Sequence, residues 1–160
     1  MKKIILLIVV LFAVVSCEED VRFNDPSFQA LKNDVFWRAI DSRATLASDG
    51  SLLIEAFTSN EVLSIKIHGI DQDIDYILGG GNSENAVYEL KENLNMIIYR
   101  TDGTTANGQI TITKYNEVNE TITGTFKFNV KNVSDSELVN PILSFRQGVF
   151  YNVPVKLQVP

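Results

Sequence analysis

The sequence predicts an all-β domain, either an antiparallel β-sandwich or a flattened closed barrel, with about 8 to 10 short strands joined by hairpins. Apolar and polar residues alternate with a period close to two from Phe28 onward. Turn residues recur at short intervals, and no window longer than about ten residues has the period of an amphipathic helix. Neighbouring strands are therefore expected to pair locally.

The chain begins with a segment unlike the rest. Lys2 and Lys3 precede an unbroken apolar run at residues 4–15. This run is shorter than the roughly 20 apolar residues that span a bilayer, so residues 1–16 are predicted to be a cleaved signal peptide.

Val14-Val15-Ser16-Cys17 resembles the bacterial lipobox. This resemblance implies cleavage before Cys17, a diacylglycerol on its thiol and an acylated amino group, and several acyl chains would anchor the protein stably. Residues 17–25, with acids at residues 18–20, then form a tether. Such an acidic cluster is explained physically as a solvated spacer. It also looks like the signal that sends Bacteroidota lipoproteins to the outer face of the outer membrane. This resemblance implies an outer-membrane lipoprotein, and both the choice between the two leaflets and exposure at the cell surface stay open.

The single predicted domain covers residues 26–160. Asn33-Asp34 and Asp49-Gly50 are turn pairs, and Gly accepts a positive φ at no steric cost. In the first half, the strands are predicted at residues 28–32, 35–40, 43–48, 51–57 and 61–69. In the last of these, Leu63, Ile65 and Ile67 share a core face, whereas His68 lies on the polar face.

Further strands are predicted at residues 75–78, 86–90, 96–101, 109–115 and 121–131. We also expect a hairpin of residues 142–146 and 149–153 across Gln147-Gly148, and an edge strand at 155–159 begun by Pro154. The hairpin at 109–131 has the longest alternation. Its inward face holds Ile122, Gly124, Phe126, Phe128 and Val130; its other face holds Thr121, Thr123, Thr125, Lys127 and Asn129. The missing side chain of Gly124 predicts a bulge or an aromatic neighbour, with Trp37 as one candidate.

Five segments of the domain resemble a family of uncharacterised Bacteroidota lipoproteins, and together they span most of the mature chain. The motifs consist of glycines and inward aromatic residues, so the resemblance implies a fold and a location but no catalytic residue. They are Val35-Phe36-Trp37, DGSLLI at 49–54, GQITIT at 108–113, ITGTFKF at 122–128 and Gly148-Val149-Phe150.

Composition excludes several classes of function. The formal net charge is −6, so the chain lacks the basic surface that nucleic acid requires. Cys17 is the only cysteine, and lipidation leaves none for a disulfide, a thiolate metal site or a nucleophile.

No set of residues predicts a reaction, a metal site or a cofactor. Asp71, Asp73 and Asp75 have the spacing that begins a calcium loop, but Tyr76 and Asn82 replace its glycine and its bidentate glutamate. Residues 79–81 are three glycines that read as a flexible turn, because a phosphate cradle needs a following helix. His68 is the sole histidine, which leaves no second histidine for a triad. Paired carboxylates meet in space, so Glu55, Glu61 and Glu89 are guesses for acid catalysis.

The sequence therefore predicts a non-enzymatic binding or accessory module. Its ligand would be a glycan, a peptide or an envelope protein, held by turn residues and exposed tyrosines such as Tyr88, Tyr99, Tyr115 or Tyr151. A lipocalin-like carrier with an apolar cavity is the alternative, and an envelope hydrolase that uses acidic residues is the third.

Overall fold

A computed structural model describes residues 27–80, 83–134 and 140–158. The predicted signal peptide, the predicted lipidation site Cys17 and the predicted acidic tether lie outside these residues. In the part of the chain that is described, no helix is long and apolar enough to cross a membrane.

The all-β prediction is confirmed, since eleven strands form one mixed sheet. The strands are β1 (Ser27–Lys32), β2 (Val35–Arg38), β3 (Asp41–Leu46), β4 (Ser51–Phe57), β5 (Glu61–His68), β6 (Asp75–Leu78), β7 (Asn85–Glu92), β8 (Asn95–Arg100), β9 (Gly108–Asn116), β10 (Thr121–Asn132) and β11 (Ile142–Leu157).

Strand pairing runs in a closed circuit from β3 through β4, β5, β7, β8, β10 and β11 back to β3. Two side branches extend it: β1 and β2 continue from β11, and β9 and β6 continue from β10. The fold is thus a flattened barrel whose two walls are β2-β1-β11-β10-β9-β6 and β3-β4-β5-β7-β8. We call these wall I and wall II.

The long strands β10 and β11 join the two walls. One side of β11 pairs with β10, while the other pairs with β1 and then, in parallel, with β3 at Val155–Leu157. At the other corner, Lys131 and Asn132 of β10 pair with β8. Each strand therefore changes partners along its length, as it must where a barrel is flattened into two layers.

Two details of the C-terminal prediction were wrong. Gln147-Gly148 is not a hairpin turn but part of a β-bulge within the 16-residue strand β11. Residues 155–157 likewise continue β11 beyond Pro154 and pair in parallel with β3. Gln147 has a positive φ of 51°, which both a β-bulge and a hairpin turn accommodate. The local sequence therefore does not distinguish a bulge from a turn.

Aromatic side chains fill the space between the walls. The ring centroids of Phe28 and Phe126 lie 4.9 Å apart, and those of Phe128 and Phe145 lie 5.1 Å apart. Tyr88 of wall II reaches across to Phe145 of wall I at 5.4 Å. These rings pack together with buried Ala, Val, Leu and Ile side chains to form the core, and their burial supplies part of the stabilising apolar area.

The inward face predicted for β10 is confirmed, since every one of its residues is buried. At Gly124 both predicted features occur. The pairing register of β10 shifts there relative to both neighbouring strands, β9 and β11, and an aromatic ring covers the backbone. That ring belongs to Phe150, which would lie 2.4 Å from an added Cβ. The suggestion of Trp37 was wrong, because Trp37 packs edge-on against Phe28 and Phe145.

Candidate functional site

A cleft of about 600 Å³ opens on wall I where β6, β9, β10 and β11 lie side by side. Ile77 pairs with Gln109, and Gln109 pairs with Lys127, so these three residues form a row across three strands. Along β10 the burial alternates, with Phe126 and Phe128 buried and Lys127 and Asn129 exposed. Alternation thus places Lys127 and Asn129 on the outer face.

Amide side chains surround this lysine. Gln109 lies opposite Lys127 on β9, and Asn129 follows two residues later on the same face of β10. The backbone N–H of Asn129 donates to the carbonyl of Asn107 at 2.9 Å, which brings Asn107 beside it. Three residues with amide side chains, Asn107, Gln109 and Asn129, therefore line the same cleft as Lys127.

The β11 bulge forms the other side of the cleft. Phe126 pairs with Gly148 and Phe128 with Phe145, so Arg146 and Gln147 both lie opposite Lys127. Bulges redirect side chains in this way, and Arg146 lines the cleft as a result. Its guanidinium forms an ion pair with Asp34 in the β1–β2 turn.

The cleft differs in charge from the chain as a whole, whose net charge is −6. Its lining contains the cations Lys127 and Arg146 and no carboxylate among the residues that the structure describes. Within residues 27–80, 83–134 and 140–158, Lys127 forms no ion pair. An anion entering the cleft would therefore meet an ammonium group without competition from a protein carboxylate.

Closely packed glycines form one rim of the cleft. A Cβ added to Gly103 would lie 2.1 Å from the backbone nitrogen of Gly80, and both residues have positive φ. Next to them, Asp102 accepts hydrogen bonds from the backbone N–H groups of residues 104–106, and these bonds hold the pKa of its carboxyl well below the usual range. The 102–106 loop is thus fixed by its own hydrogen bonds. The predicted flexible turn covers residues 79–81; Gly79 and Gly80 pack against this loop, and Gly81 lies outside the described residues.

A separate, partly buried polar cluster links the two walls. The carboxylate of Glu61 accepts a hydrogen bond from the Tyr88 hydroxyl at 2.6 Å and one from the Thr58 hydroxyl at 3.2 Å. The ammonium of Lys32 and the indole N–H of Trp37 also donate to it, and Lys32 donates to the Tyr88 oxygen at 2.8 Å. Each carboxylate oxygen thereby has two donors, which leaves little capacity for a substrate.

These contacts fix the ionisation state of the cluster. Burial raises the pKa of Glu61. The hydrogen bonds from Lys32, Tyr88 and Trp37, together with the charge of Lys32, lower it by a larger amount, so the pKa lies below its ordinary value. The pKa of Tyr88 is raised, mainly by burial of the hydroxyl and secondly by its hydrogen bond to Glu61. At neutral pH Glu61 is thus an ionised carboxylate held by four donors, which is a structural role and not that of a general acid.

The three glutamates suggested for acid catalysis do not converge. Glu61 faces inward, whereas Glu55 and Glu89 alternate with buried neighbours and face outward. The Arg43 Nε atom donates to the Glu55 carboxylate at 2.8 Å. The described part of the chain therefore shows no pair of these carboxylates flanking one space, as glycoside hydrolysis would require.

The other candidates lie on the surface. Asp71, Asp73, Asp75 and His68 are exposed, and the carboxylate of Asp75 accepts a hydrogen bond from Thr111. Among the described residues, no group of three or more His, Cys, Asp or Glu side chains could hold a metal ion.

The proposed tyrosine surface was wrong in part. Tyr88 and Tyr99 are buried in the core, where their rings lie 5.8 Å apart, because each occupies an inward position of its strand. Tyr115 is half-buried, and Tyr151 is 43% exposed.

Residues 24–154 match the profile of a protein family described as a domain of unknown function, DUF6252. The chain belongs to the DUF6252 family. Neither curated proteins nor solved structures gave a match. The cleft of this DUF6252 member comprises residues that sequence reasoning had placed on an outer face, Lys127 and Asn129, together with residues that it had not singled out. Their only advance signal was the polar face of β10, since the cleft is assembled from four strands.

Proposed function

We propose that this protein is a non-enzymatic binding module of the cell envelope, anchored through lipid on Cys17, which holds its ligand in the Lys127 cleft. The cleft carries the proposal, because it combines an accessible volume of about 600 Å³ with convergent amide and cationic groups. Small-molecule sites in proteins commonly have this size and a few directed polar groups.

Two further observations favour binding over the other functions predicted from the sequence. The carboxylate of Glu61 is saturated by Lys32, Trp37, Thr58 and Tyr88, which supports a structural role over hydrolysis. Aromatic rings occupy the interior between the walls, which favours a surface cleft over the internal cavity of a carrier.

The proposed location rests on the sequence. The basic start, the apolar run of residues 4–15 and the lipobox-like residues 14–17 support lipid anchoring, and the acids at 18–20 support the outer membrane. The ligand would then be an envelope or extracellular glycan, a peptide or a neighbouring envelope protein.

A titration followed by nuclear magnetic resonance tests the binding function. The isotope-labelled protein in detergent micelles would be mixed in turn with neutral oligosaccharides, acidic oligosaccharides and short peptides. We expect one class to shift the backbone signals of Gln109, Lys127 and Asn129, and chromatography of the ligand to show that it stays intact.

Asn129→Trp is the blocking variant and Thr125→Trp its control, since both residues are exposed on the outer face of β10 but only Asn129 lines the cleft. Blocking should abolish the shifts, whereas the control should retain them. Shifts that survive Asn129→Trp, or conversion of the ligand to products, would contradict the proposal.

A further inference from the structure

We infer that the ligand of the cleft is an acidic oligosaccharide, with its carboxylate or sulfate bound by Lys127 and its hydroxyl groups bound by the surrounding amides. This inference rests on the proposed binding function and specifies the class of ligand at the same site.

Lys127 supplies the charge. It is exposed, and its neighbours Gln109 and Asn129 are uncharged. Arg146, by contrast, already forms an ion pair with Asp34, and both side chains are exposed. An ammonium group that forms no ion pair with any residue the structure describes, in the lining of a cleft in a protein of net charge −6, favours one anionic group at that point.

The amides indicate what accompanies the anion. Asn107, Gln109 and Asn129 each offer two N–H donors and an acceptor oxygen. A simple anion can only accept, so it would leave the amide oxygens unused, whereas sugar hydroxyls both donate and accept. Ile77 is 52% exposed and lies beside Gln109 on β6, where it offers an apolar surface to the C–H face of a sugar ring.

Strand pairing and burial argue against two other ligand classes. A peptide that extends a sheet would add to β6, the terminal strand of wall I on the side of the cleft. Lys127 lies two strands away in β10, which pairs with β9 on one side and β11 on the other, so strand addition would not place the peptide backbone at Lys127. A nucleotide or single-stranded nucleic acid needs an exposed aromatic platform, and the rings that line the cleft, Phe128 and Phe145, are buried.

Calorimetric titration of the purified full-length protein in detergent micelles tests the ligand class. The probes are oligogalacturonate, a sulfated oligogalactose, neutral oligogalactose of equal length and sodium sulfate. We expect one of the two acidic oligosaccharides to bind at least about tenfold more tightly than the neutral one, because a charge-assisted hydrogen bond contributes about 1.5–3 kcal/mol. Sodium sulfate should bind more weakly than either acidic oligosaccharide.

Lys127→Gln should lower the affinity for the acidic oligosaccharide at least about tenfold and lower the affinity for the neutral one by a much smaller factor. The control is Lys114→Gln, an exposed lysine of β9 that does not line the cleft, which should change neither affinity. Circular dichroism melts of both variants would verify that the fold is kept.

The failures can be told apart. Equal affinities for acidic and neutral oligosaccharides, unaffected by Lys127→Gln, would overturn the acidic ligand and leave the binding function standing. Cleft signals that shift only with peptides would do the same. Sodium sulfate that binds as tightly as the oligosaccharides would show that a simple anion suffices, and no binding of any probe class would overturn both proposals.

Discussion

The indole N–H of Trp37, on the edge strand β2, donates a hydrogen bond to the carboxylate of Glu61 on β5, so one side chain of each wall is joined to the other. Lys32 of wall I and Tyr88 of wall II complete the connection. The walls are thus held together by a partly buried polar cluster as well as by aromatic packing, and the two contributions can be measured separately.

Glu61→Gln should destabilise the domain by about 2–3 kcal/mol, because Lys32 would lose its counter-charge in a partly desolvated position. The value is below that of a fully buried pair since the Lys32 side chain is 24% exposed. Urea denaturation of residues 24–160 measures it. Glu55→Gln, which breaks the more exposed pair with Arg43, should cost less than about 1 kcal/mol. Equal losses would show that the cluster does not stabilise the fold.

The low pKa of Glu61 predicts a dependence of stability on pH. Its folded-state pKa lies below the ordinary value of 4.5, so its contribution is present above that value and is lost as the pH falls through the folded-state pKa. The melting temperature of the wild type should therefore drop below about pH 4.5. The Glu61→Gln variant should still show a smaller fall in melting temperature, because the pKa values of Asp49 and Asp102 are also lowered. An identical drop in both proteins would contradict the prediction.

Phe126→Ala should cost about 3–5 kcal/mol, as truncation of buried aromatic residues does. Phe126 is buried and contacts the rings of Phe28 and Phe128. Thr125→Ala, on the exposed face of the same strand, should cost well under that. Chemical denaturation of both variants compares them, and similar small losses would mean that the faces of β10 are exchanged.

Gly148→Ala should destabilise the protein by about 1–3 kcal/mol, because the new methyl group would lie 2.5 Å from the ring of Phe126. All the nearest atoms belong to that one side chain, so a smaller residue there should relieve the clash. In a Phe126→Leu background, Gly148→Ala should therefore cost less, as a double-mutant cycle would show. An undiminished cost would place the strain in the β11 backbone.

Cys17→Ser should release the protein from the membrane fraction or leave its signal peptide uncleaved, since the lipid is proposed as its sole anchor. Detergent-phase partitioning and the mass of the chain measure both outcomes. Ser16→Thr is a milder control that keeps the thiol. Partitioning of Cys17→Ser into the detergent phase after its signal peptide has been removed would contradict lipid anchoring.

Features that depend on nearby residues were predictable. The turns at Asn33-Asp34 and Asp49-Gly50 join the strands expected, and the two non-glycine residues of the first turn have φ values of 48° and 65°. The inward face of β10 was also correct, because a period of two fixes which residues share a face.

Features that depend on partners distant in sequence were not predictable. Gln147-Gly148 has turn composition, yet pairing with β1 and β10 makes it a bulge. Lys32 and Glu61 are 29 residues apart, and nothing local in either strand indicates that they meet. The cleft needs β6 to lie beside β9, which skips the two strands between them in the chain. Such pairings reflect the packing of the whole barrel.

The parallel pairing of Val155–Leu157 with β3 has a consequence for the order in which the fold is completed. Residues 44–46 are made early and pair with residues 155–157, which are made much later, so the circuit stays open until β11 has been synthesised. Until β11 arrives, β1, β3 and β10 each have one edge without its final partner, and exposed edges invite association with other chains. Contacts this distant in sequence also slow folding. A chain cut short before residue 142 would thus lose the strand that joins three others, and its unfinished edges would mark it for proteolysis.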